Sequence, residues 1–284
     1  MRFGINTLLW TADVTADELY LIDRVAEWGF DGIEIGVQHN LAISDYRAIR
    51  ARLNRFNLGV TVSAGVNAEC NPLHHDSEIR RRASARLQRI VEICETLEAD
   101  IACGPFAMPV NVFGQAEHSR SEWEHAVDIL SQAASYAEHA GVRFAFEYLN
   151  RFQTNFATCT AEAIRLIDAI GSPSFGLVCN TYHAHIEELS AGAAIEAAGD
   201  RIFHVQIAES DRATPGRGQV DWDETFAGLR AIGYDGWYVI QSFLPMPPDV
   251  AAVTRTWRAP GVTANEIATD GLAFLQRHCE ETQL

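Results

Sequence analysis

Short apolar runs alternate with longer segments of helical periodicity along the whole chain. Eight runs are rich in β-branched and aromatic residues and nearly free of charge, at residues 3–9, 32–37, 59–65, 100–105, 143–149, 174–180, 202–208 and 237–243. Strands of this kind are typical of a parallel sheet that is covered on both faces. Segments between them repeat apolar residues with helical spacing, including residues 15–28, 78–98, 121–140, 160–170 and 222–232. The pattern predicts an α/β fold of repeated strand–helix units.

The local signals at the joints agree with this pattern. Gly29 and Gly233 each follow a predicted helix and open a Gly-aromatic-Asp-Gly turn into a strand, where glycine suits the left-handed end of a helix. Thr15 and Glu18 have the spacing of a capping box. No linker rich in Gly, Ser and Pro interrupts the chain, and no glycine-rich phosphate turn follows the first strand. We therefore expect one domain over residues 1–284, a (β/α)8 barrel rather than a doubly wound open sheet.

Charge and cysteine usage exclude several classes of partner. The net charge of −16 repels nucleic acid backbones and anionic membranes. No secretory leader or apolar run of membrane-spanning length is visible. The cysteines are Cys70, Cys94, Cys103, Cys159, Cys179 and Cys279. They form no C-x-x-C pair, so we expect reduced thiols and a cytoplasmic protein.

Four strands in the second half of the chain end on polar residues: Glu147, Asn180, His204 and Gln241. The carboxyl ends of the strands are where catalytic groups collect in a closed parallel barrel. Glu147 could act as a general base or bind a metal, or it could simply pair with Arg151. His204 could point inward as a ligand or outward under a helix.

Two loops add further candidates. Residues 180–188 bring together His183, His185 and two glutamates, although a polar loop entering a helix would have the same composition. Residues 209–218 contain Arg212, whose planar guanidinium could hold hydroxyl groups or a carboxylate, or could be ordinary surface charge.

These segments carry a resemblance to a known family. Its most specific pieces are Glu147-Tyr-Leu-Asn-Arg-Phe, Asn180-Thr-Tyr-His-Ala-His-Ile-Glu-Glu, His204 with Glu209-Ser-Asp-Arg, Pro215-Gly-Arg-Gly and Gln241-Ser-Phe. Over essentially its whole length the chain resembles the sugar phosphate isomerase/epimerase superfamily, with its xylose-isomerase-like TIM barrel. It looks most like the ketose 3-epimerases of the D-tagatose/D-allulose type.

The resemblance implies a divalent metal, Mn²⁺ or Mg²⁺, and a small-molecule sugar or polyol as partner, and it suggests a homodimer or homotetramer. The implied metal ligands are Glu147, Asn180, His204 and Gln241. The implied catalytic residues are Glu147, Gln241 and His183. The implied substrate contacts are Glu34, Gln153, His183 and Arg212.

The chain departs from the family at three of these positions, because Asn180, Gln241 and Gln153 are amides where acids are expected. Glu147 is then the one anion left among the four implied ligands. Each missing carboxylate removes gross attraction to a divalent ion on the order of 8 kcal/mol at an effective dielectric of ~20, before desolvation. A neutral amide also cannot take a proton from carbon. Gln241 therefore cannot be the second base, and His183 or His185 would have to replace it.

Three functions follow as alternatives. The first is a keto-sugar epimerase or isomerase that transfers a proton next to a carbonyl. The second is a lyase or dehydratase on the same scaffold, which needs one base only. The third is a non-catalytic sugar-binding protein with a degenerate metal site. An apurinic endonuclease of the same barrel superfamily is disfavoured by the net charge and by the depleted ligand set.

Overall fold

The computed structural model describes residues 1–39, 41–113 and 118–280, without the side chains of residues 279 and 280. Eight parallel strands pair in sequence order and close into a barrel, β1 with β8. They are β1 Arg2–Asn6, β2 Gly32–Val37, β3 Gly59–Ala64, β4 Ile101–Gly104, β5 Arg143–Phe146, β6 Phe175–Asn180, β7 Ile202–Ile207 and β8 Trp237–Ile240. The predicted (β/α)8 architecture and the positions of all eight strands are confirmed.

Helices connect the strands on the outside. They are α1 Tyr20–Glu27, α2 Ile43–Phe56, α3 Ser77–Leu97, α4 Arg120–His139, α5 Thr160–Ile170, α6 Thr181–Glu187, α7 Ala191–Ala198, α8 Trp222–Ala231, α9 Pro248–Thr254 and α10 Ala264–Glu280. None of these described helices is long and apolar enough to cross a membrane.

The predicted capping box and the predicted glycine turns after helices are present. The Thr15 hydroxyl and backbone N–H both contact the Glu18 carboxylate, which completes the capping box. The capped segment is a short 3-10 turn that precedes α1, so the helix predicted over residues 15–28 begins later than expected. Gly29 and Gly233 have φ values of 87° and 68°, in the left-handed region that glycine enters without strain.

The barrel floor is closed by Trp237 at the start of β8. Its indole lies so close to Gly59 that an added Cβ there would come within 2.7 Å of the ring, and Gly32 is equally close-packed against it. The two glycines therefore make room for one large side chain. The same floor is lined by apolar residues of neighbouring strands, Ile101, Ala145, Val178 and Val239 among them. A solid floor leaves the opposite end of the barrel for binding.

The thiols of Cys70, Cys94, Cys103, Cys159 and Cys179 are free, as expected. The side chain of Cys279 lies outside the described part of the chain. The division into one domain, the cytoplasmic location and the oligomeric state stay predictions.

Candidate active site

A layer of amide and carboxylate side chains crosses the barrel where its strands end. Glu147 directly follows β5, Asn180 is the last residue of β6 and Gln241 directly follows β8. The amide nitrogen Nδ2 of Asn180 lies 2.6 Å from Oε1 of Glu147, 2.8 Å from Oε1 of Gln241 and 3.1 Å from Oε1 of Gln206. All four side chains are buried. We call Glu147, Asn180, Gln206 and Gln241 the upper layer.

The upper layer differs from the predicted quartet at one position. Glu147, Asn180 and Gln241 meet as expected, but their fourth member is Gln206 and not His204. Both residues are on β7 and on the same face of that strand. A strand rises about 3.3 Å per residue, so His204 lies roughly 7 Å deeper in the barrel than Gln206. Strand alternation identified the correct face but not the correct depth.

His204 instead belongs to a lower layer, which we define as Glu34, Cys103 and His204. Its Nε2 lies 2.7 Å from Oε2 of Glu34. Cys103 also donates to this carboxylate at 3.1 Å, and Gln206 donates from the layer above at 2.8 Å. Asn6 and Thr61 supply two more donors, at 2.7 and 3.0 Å.

This setting determines the charge state of Glu34. Complete burial would raise the pKa of Glu34, but the electrostatic interaction with His204 and the hydrogen bonds from its neighbours outweigh burial and lower the pKa to about 2. Glu34 is thus a fully paired anion. It was predicted to contact substrate, but it does not belong to the described residues that line the cavity above.

Glu147 has the opposite environment. Burial raises its pKa to about 7, although the positive charge of Arg212 and the hydrogen bond from Asn180 act against the increase. Its carboxylate therefore exchanges protons near neutral pH, which is the range a general base needs. The ion pair with Arg151 that was considered for Glu147 does not form, because Arg151 pairs with Glu187.

The protonation of His183 follows from its neighbours. Its Nδ1 accepts a hydrogen bond from the backbone N–H of Asn150 at 3.0 Å, and a backbone N–H can only donate. Burial, reinforced by Arg212, lowers the pKa of His183 well below its usual value. The imidazole is therefore neutral and carries its proton on Nε2, which lies 3.6 Å from Oε1 of Glu147. His183 offers a hydrogen-bond donor to the cavity.

Arg212 lies beside His183, with its Nη2 3.3 Å from Nε2 of that imidazole. Its Nη1 donates to Oε1 of Gln241 at 2.9 Å, and its guanidinium lies 3.7 Å above the ring of Tyr182. The backbone of Arg212 has φ 63°, an uncommon conformation for a residue with a side chain. A buried charge in a strained conformation is held there by its surroundings.

The surroundings of Arg212 are organised by Glu209. This fully buried carboxylate accepts from the backbone N–H groups of Ser210, Gly216, Gln219 and Val220 at 2.8–3.1 Å. Trp222 donates to it as well, from its indole N–H at 3.0 Å. The loop over residues 209–218 is thus the shaped loop that its sequence indicated, built around an internal anion.

A cavity of about 380 Å³ lies above the upper layer. Its ionisable side chains, among the described residues, are Arg86, Glu147, His183 and Arg212. Gln153 and Gln241 also line it, and Val66, Pro105, Val112 and Phe243 contribute apolar walls. His185 is exposed on α6 and does not reach the cavity. The volume and the mixture of polar and apolar walls suit a small polyol.

Sequence reasoning missed Gln206 and Asn150. The alternation of β7 contained the signal for Gln206, since it placed Gln206 on the face shared with His204. The role of Asn150 depends on a contact between the loop after β5 and α6, and no local pattern in the sequence announces such a contact.

The two layers differ in their fitness for a metal ion. The upper layer fits a hard divalent ion poorly, because it offers one carboxylate and because the Nδ2 of Asn180 lies among the oxygens that would coordinate the ion. In the lower layer, the ligand atoms of Glu34, Cys103 and His204 all lie within 4.8 Å of one another, so these three side chains could hold a metal ion. A thiol and an imidazole suit zinc better than Mg²⁺.

Comparison with known proteins agrees with the fold. The xylose isomerase-like TIM barrel family matches residues 22–278. A D-psicose 3-epimerase of Ruminiclostridium cellulolyticum is 30% identical over 95% of this chain and 93% of its own length. A probable ketose 3-epimerase of Synechocystis sp. is 28% identical over 98% of this chain and 96% of its own length.

A solved structure shares the architecture. The crystal structure of D-allulose 3-epimerase from Methylomonas sp. in complex with D-allulose has a TM-score of 0.91 and 26% identity, covering 98% of this chain and 96% of that one. The relatives are ketose 3-epimerases and the match extends over nearly the full length. The chain therefore belongs to the xylose isomerase-like TIM barrel family, within which its relatives are ketose 3-epimerases.

Proposed function

We propose that this protein is an isomerase of the keto-sugar class that moves a proton at a carbon next to the carbonyl of a free keto sugar, with Glu147 as the base. The observation that carries the proposal is the position of Glu147. It is a buried carboxylate at the wall of a sugar-sized cavity, and burial raises its pKa to about 7. The names of the relatives support the substrate class, since they act on D-psicose and L-ribulose.

The other groups around the cavity support charge stabilisation. When Glu147 removes the proton, the electron pair moves to the carbonyl oxygen and an enediolate forms. The Nε2–H of His183 lies 3.6 Å from Oε1 of Glu147, and the charge of Arg212 also acts on Glu147. Nη2 of Arg212 and Nε2–H of His183 are both donors, 3.3 Å apart, so an oxygen of the substrate could accept from both and its negative charge would be stabilised. Gln241 and Gln153 can bind hydroxyl groups, in place of the acids that the resemblance implies.

The return of the proton distinguishes two reactions of this class. Glu147 can return the proton to the neighbouring carbon on the same face, which gives an isomerisation. Epimerisation at one carbon needs a donor on the opposite face, and the described residues that line the cavity include no second carboxylate. His183 is then the protein's nearest alternative partner. The Mn²⁺ or Mg²⁺ that the resemblance implies would polarise the substrate oxygens, but no step above depends on it.

A one-base elimination is the second candidate. Glu147 is the one carboxylate among the described residues at the cavity wall, and a lyase or dehydratase requires no other. This reaction would produce an enone and release water or an aglycone. Those products separate it from proton exchange without loss of a leaving group.

Heavy water tests the proposal directly. The protein is incubated in D₂O with D-psicose, D-fructose, D-tagatose and L-ribulose, and NMR locates the deuterium in each sugar. We expect incorporation next to the carbonyl, at C3 for epimerisation and at C1 or C2 for isomerisation. Absence of deuterium from the whole panel, with and without added Mn²⁺, would overturn the proposal.

A pair of variants separates catalysis from binding alone. Glu147→Gln should abolish exchange and retain sugar affinity, measured by calorimetry. Glu124→Gln, an exposed residue of α4 that pairs with Arg120, serves as the matched control and should change neither quantity. Equal behaviour of the two variants would instead favour the non-catalytic sugar-binding alternative.

A further inference from the structure

The orientation of every amide in the upper layer is fixed by a neighbour of known hydrogen-bonding type. Oδ1 of Asn180 accepts from the backbone N–H of Tyr182 at 3.1 Å, so its Nδ2 must face the other way. Nε2 of Gln206 donates to the anion of Glu34 at 2.8 Å, so its Oε1 faces Asn180. Nη1 of Arg212 donates to Oε1 of Gln241. Flipping any of the three amides would place two donors or two acceptors against each other.

These orientations direct three oxygen atoms toward the same nitrogen atom. Three oxygens, from Glu147, Gln206 and Gln241, surround the Nδ2 of Asn180 at 2.6–3.1 Å. A cation at this position would be coordinated by the same three oxygens. The amide carries partial positive charge on its two hydrogens, so it attracts these oxygens without adding net charge to the layer, and Oε1 of Gln241 also accepts from Arg212. Only one of the three oxygens belongs to a carboxylate.

We infer that the amide group of Asn180 takes the place of a divalent cation, and that this residue is the main determinant of whether the upper layer binds one. The pocket then orients its substrate through N–H donors. A change to aspartate would remove the donor and put a second carboxylate beside Glu147. The layer would then offer two carboxylates and two amide oxygens, a set that suits Mn²⁺. The inference goes beyond the proposed reaction, because metal binding can be measured without any sugar.

The experiment is a titration of Mn²⁺ into metal-stripped protein, followed by calorimetry and by the EPR signal of free Mn²⁺. We expect no stoichiometric binding by the unaltered protein at the upper layer. Asn180→Asp should bind one Mn²⁺, with an affinity on the order of tenfold or more above any residual binding by the unaltered protein. The gained binding should disappear in the double variant Asn180→Asp with Glu147→Gln, which shows where the ion sits.

Two controls isolate the role of the amide nitrogen. Asn265→Asp adds the same charge on the exposed face of α10 and should bind no better than the unaltered protein. Gln241→Glu adds the charge within the upper layer but retains the Nδ2 of Asn180, and it should gain less than Asn180→Asp. If Asn180→Asp folds poorly without ions, Mn²⁺ should raise its melting temperature and leave that of the unaltered protein unchanged.

Two results would overturn the inference. One is stoichiometric Mn²⁺ binding by the unaltered protein that Glu147→Gln abolishes. The other is a folded Asn180→Asp variant that gains no affinity. Neither result depends on deuterium exchange, so a failure here is distinguishable from a failure of the proposed reaction.

Discussion

Glu34 and Glu147 are two buried carboxylates of one barrel, and their pKa values are shifted in opposite directions. Glu34 faces His204 and several neutral donors, and these partners lower its pKa to about 2. Glu147 accepts a hydrogen bond from Asn180, and burial raises its pKa to about 7 in spite of this bond and of Arg212. Burial alone therefore does not decide the role of a carboxylate. The partners decide it, and they make one residue a permanent anion and the other a titrating base.

The largest effect should come from removing the base. Glu147→Gln keeps the size of the side chain and its hydrogen bonding to Asn180, but it cannot accept a proton. We expect the rate of deuterium exchange to fall by roughly 10² to 10⁴-fold, the usual contribution of a general base. The far-UV circular dichroism should not change. An exchange rate within a factor of about three of the unaltered protein would assign the base elsewhere.

The next effect is on stability and belongs to the lower layer. His204→Ala removes the imidazole that lies 2.7 Å from the buried carboxylate of Glu34. The loss of one partner from a buried pair costs about 3–5 kcal/mol in the free energy of unfolding. Urea denaturation measures this quantity. As a control, Arg120→Ala breaks an exposed pair with Glu124 and should cost about 0–1 kcal/mol. Similar losses in the two variants would show that His204 does not stabilise Glu34.

The pH dependence of stability should have opposite signs for the two carboxylates. The pKa of Glu147 is raised on folding, so its contribution is fully present below about pH 4.5 and is lost as the pH rises through about 7. The pKa of Glu34 is lowered, so its contribution is present above about pH 4.5 and is lost as the pH falls through about 2. Each change amounts to about 3 kcal/mol.

Unfolding measured against pH tests these signs. The difference in stability between the unaltered protein and Glu147→Gln should decrease from pH 4.5 to pH 7. The corresponding difference for Glu34→Gln should increase from pH 2 to pH 4.5. If the stability difference changed with pH in the same direction for both variants, the two carboxylates would not have opposite pKa shifts.

The smallest effect concerns the rate of exchange at different pH values. Because only the ionised form of Glu147 accepts a proton, the rate should rise about tenfold per pH unit below about pH 7 and become constant above it. A profile of sugar exchange from pH 5 to pH 9 measures this. A plateau that already begins near pH 4.5 would mean that the carboxylate has an ordinary solvated environment.

The barrel and most of the upper layer were predictable from the sequence. There is a physical reason why the rest was not. The eight apolar runs predicted the barrel, and the strand ends placed Glu147, Asn180 and Gln241 together. The depth of His204 was not predictable, because a period of two residues defines a face and not a height. The contact between β2 and β7 that pairs Glu34 with His204 spans the barrel interior and leaves no local pattern.

Asn180 also begins α6, where its side chain accepts from the N–H of Tyr182. Asparagine and aspartate are about equally good at this position of a helix. An exchange of one for the other therefore changes the charge of the cavity and leaves the helix start intact. A carboxylate could therefore be added at the centre of the upper layer at little cost to folding, because the same atom position that caps α6 tolerates either residue.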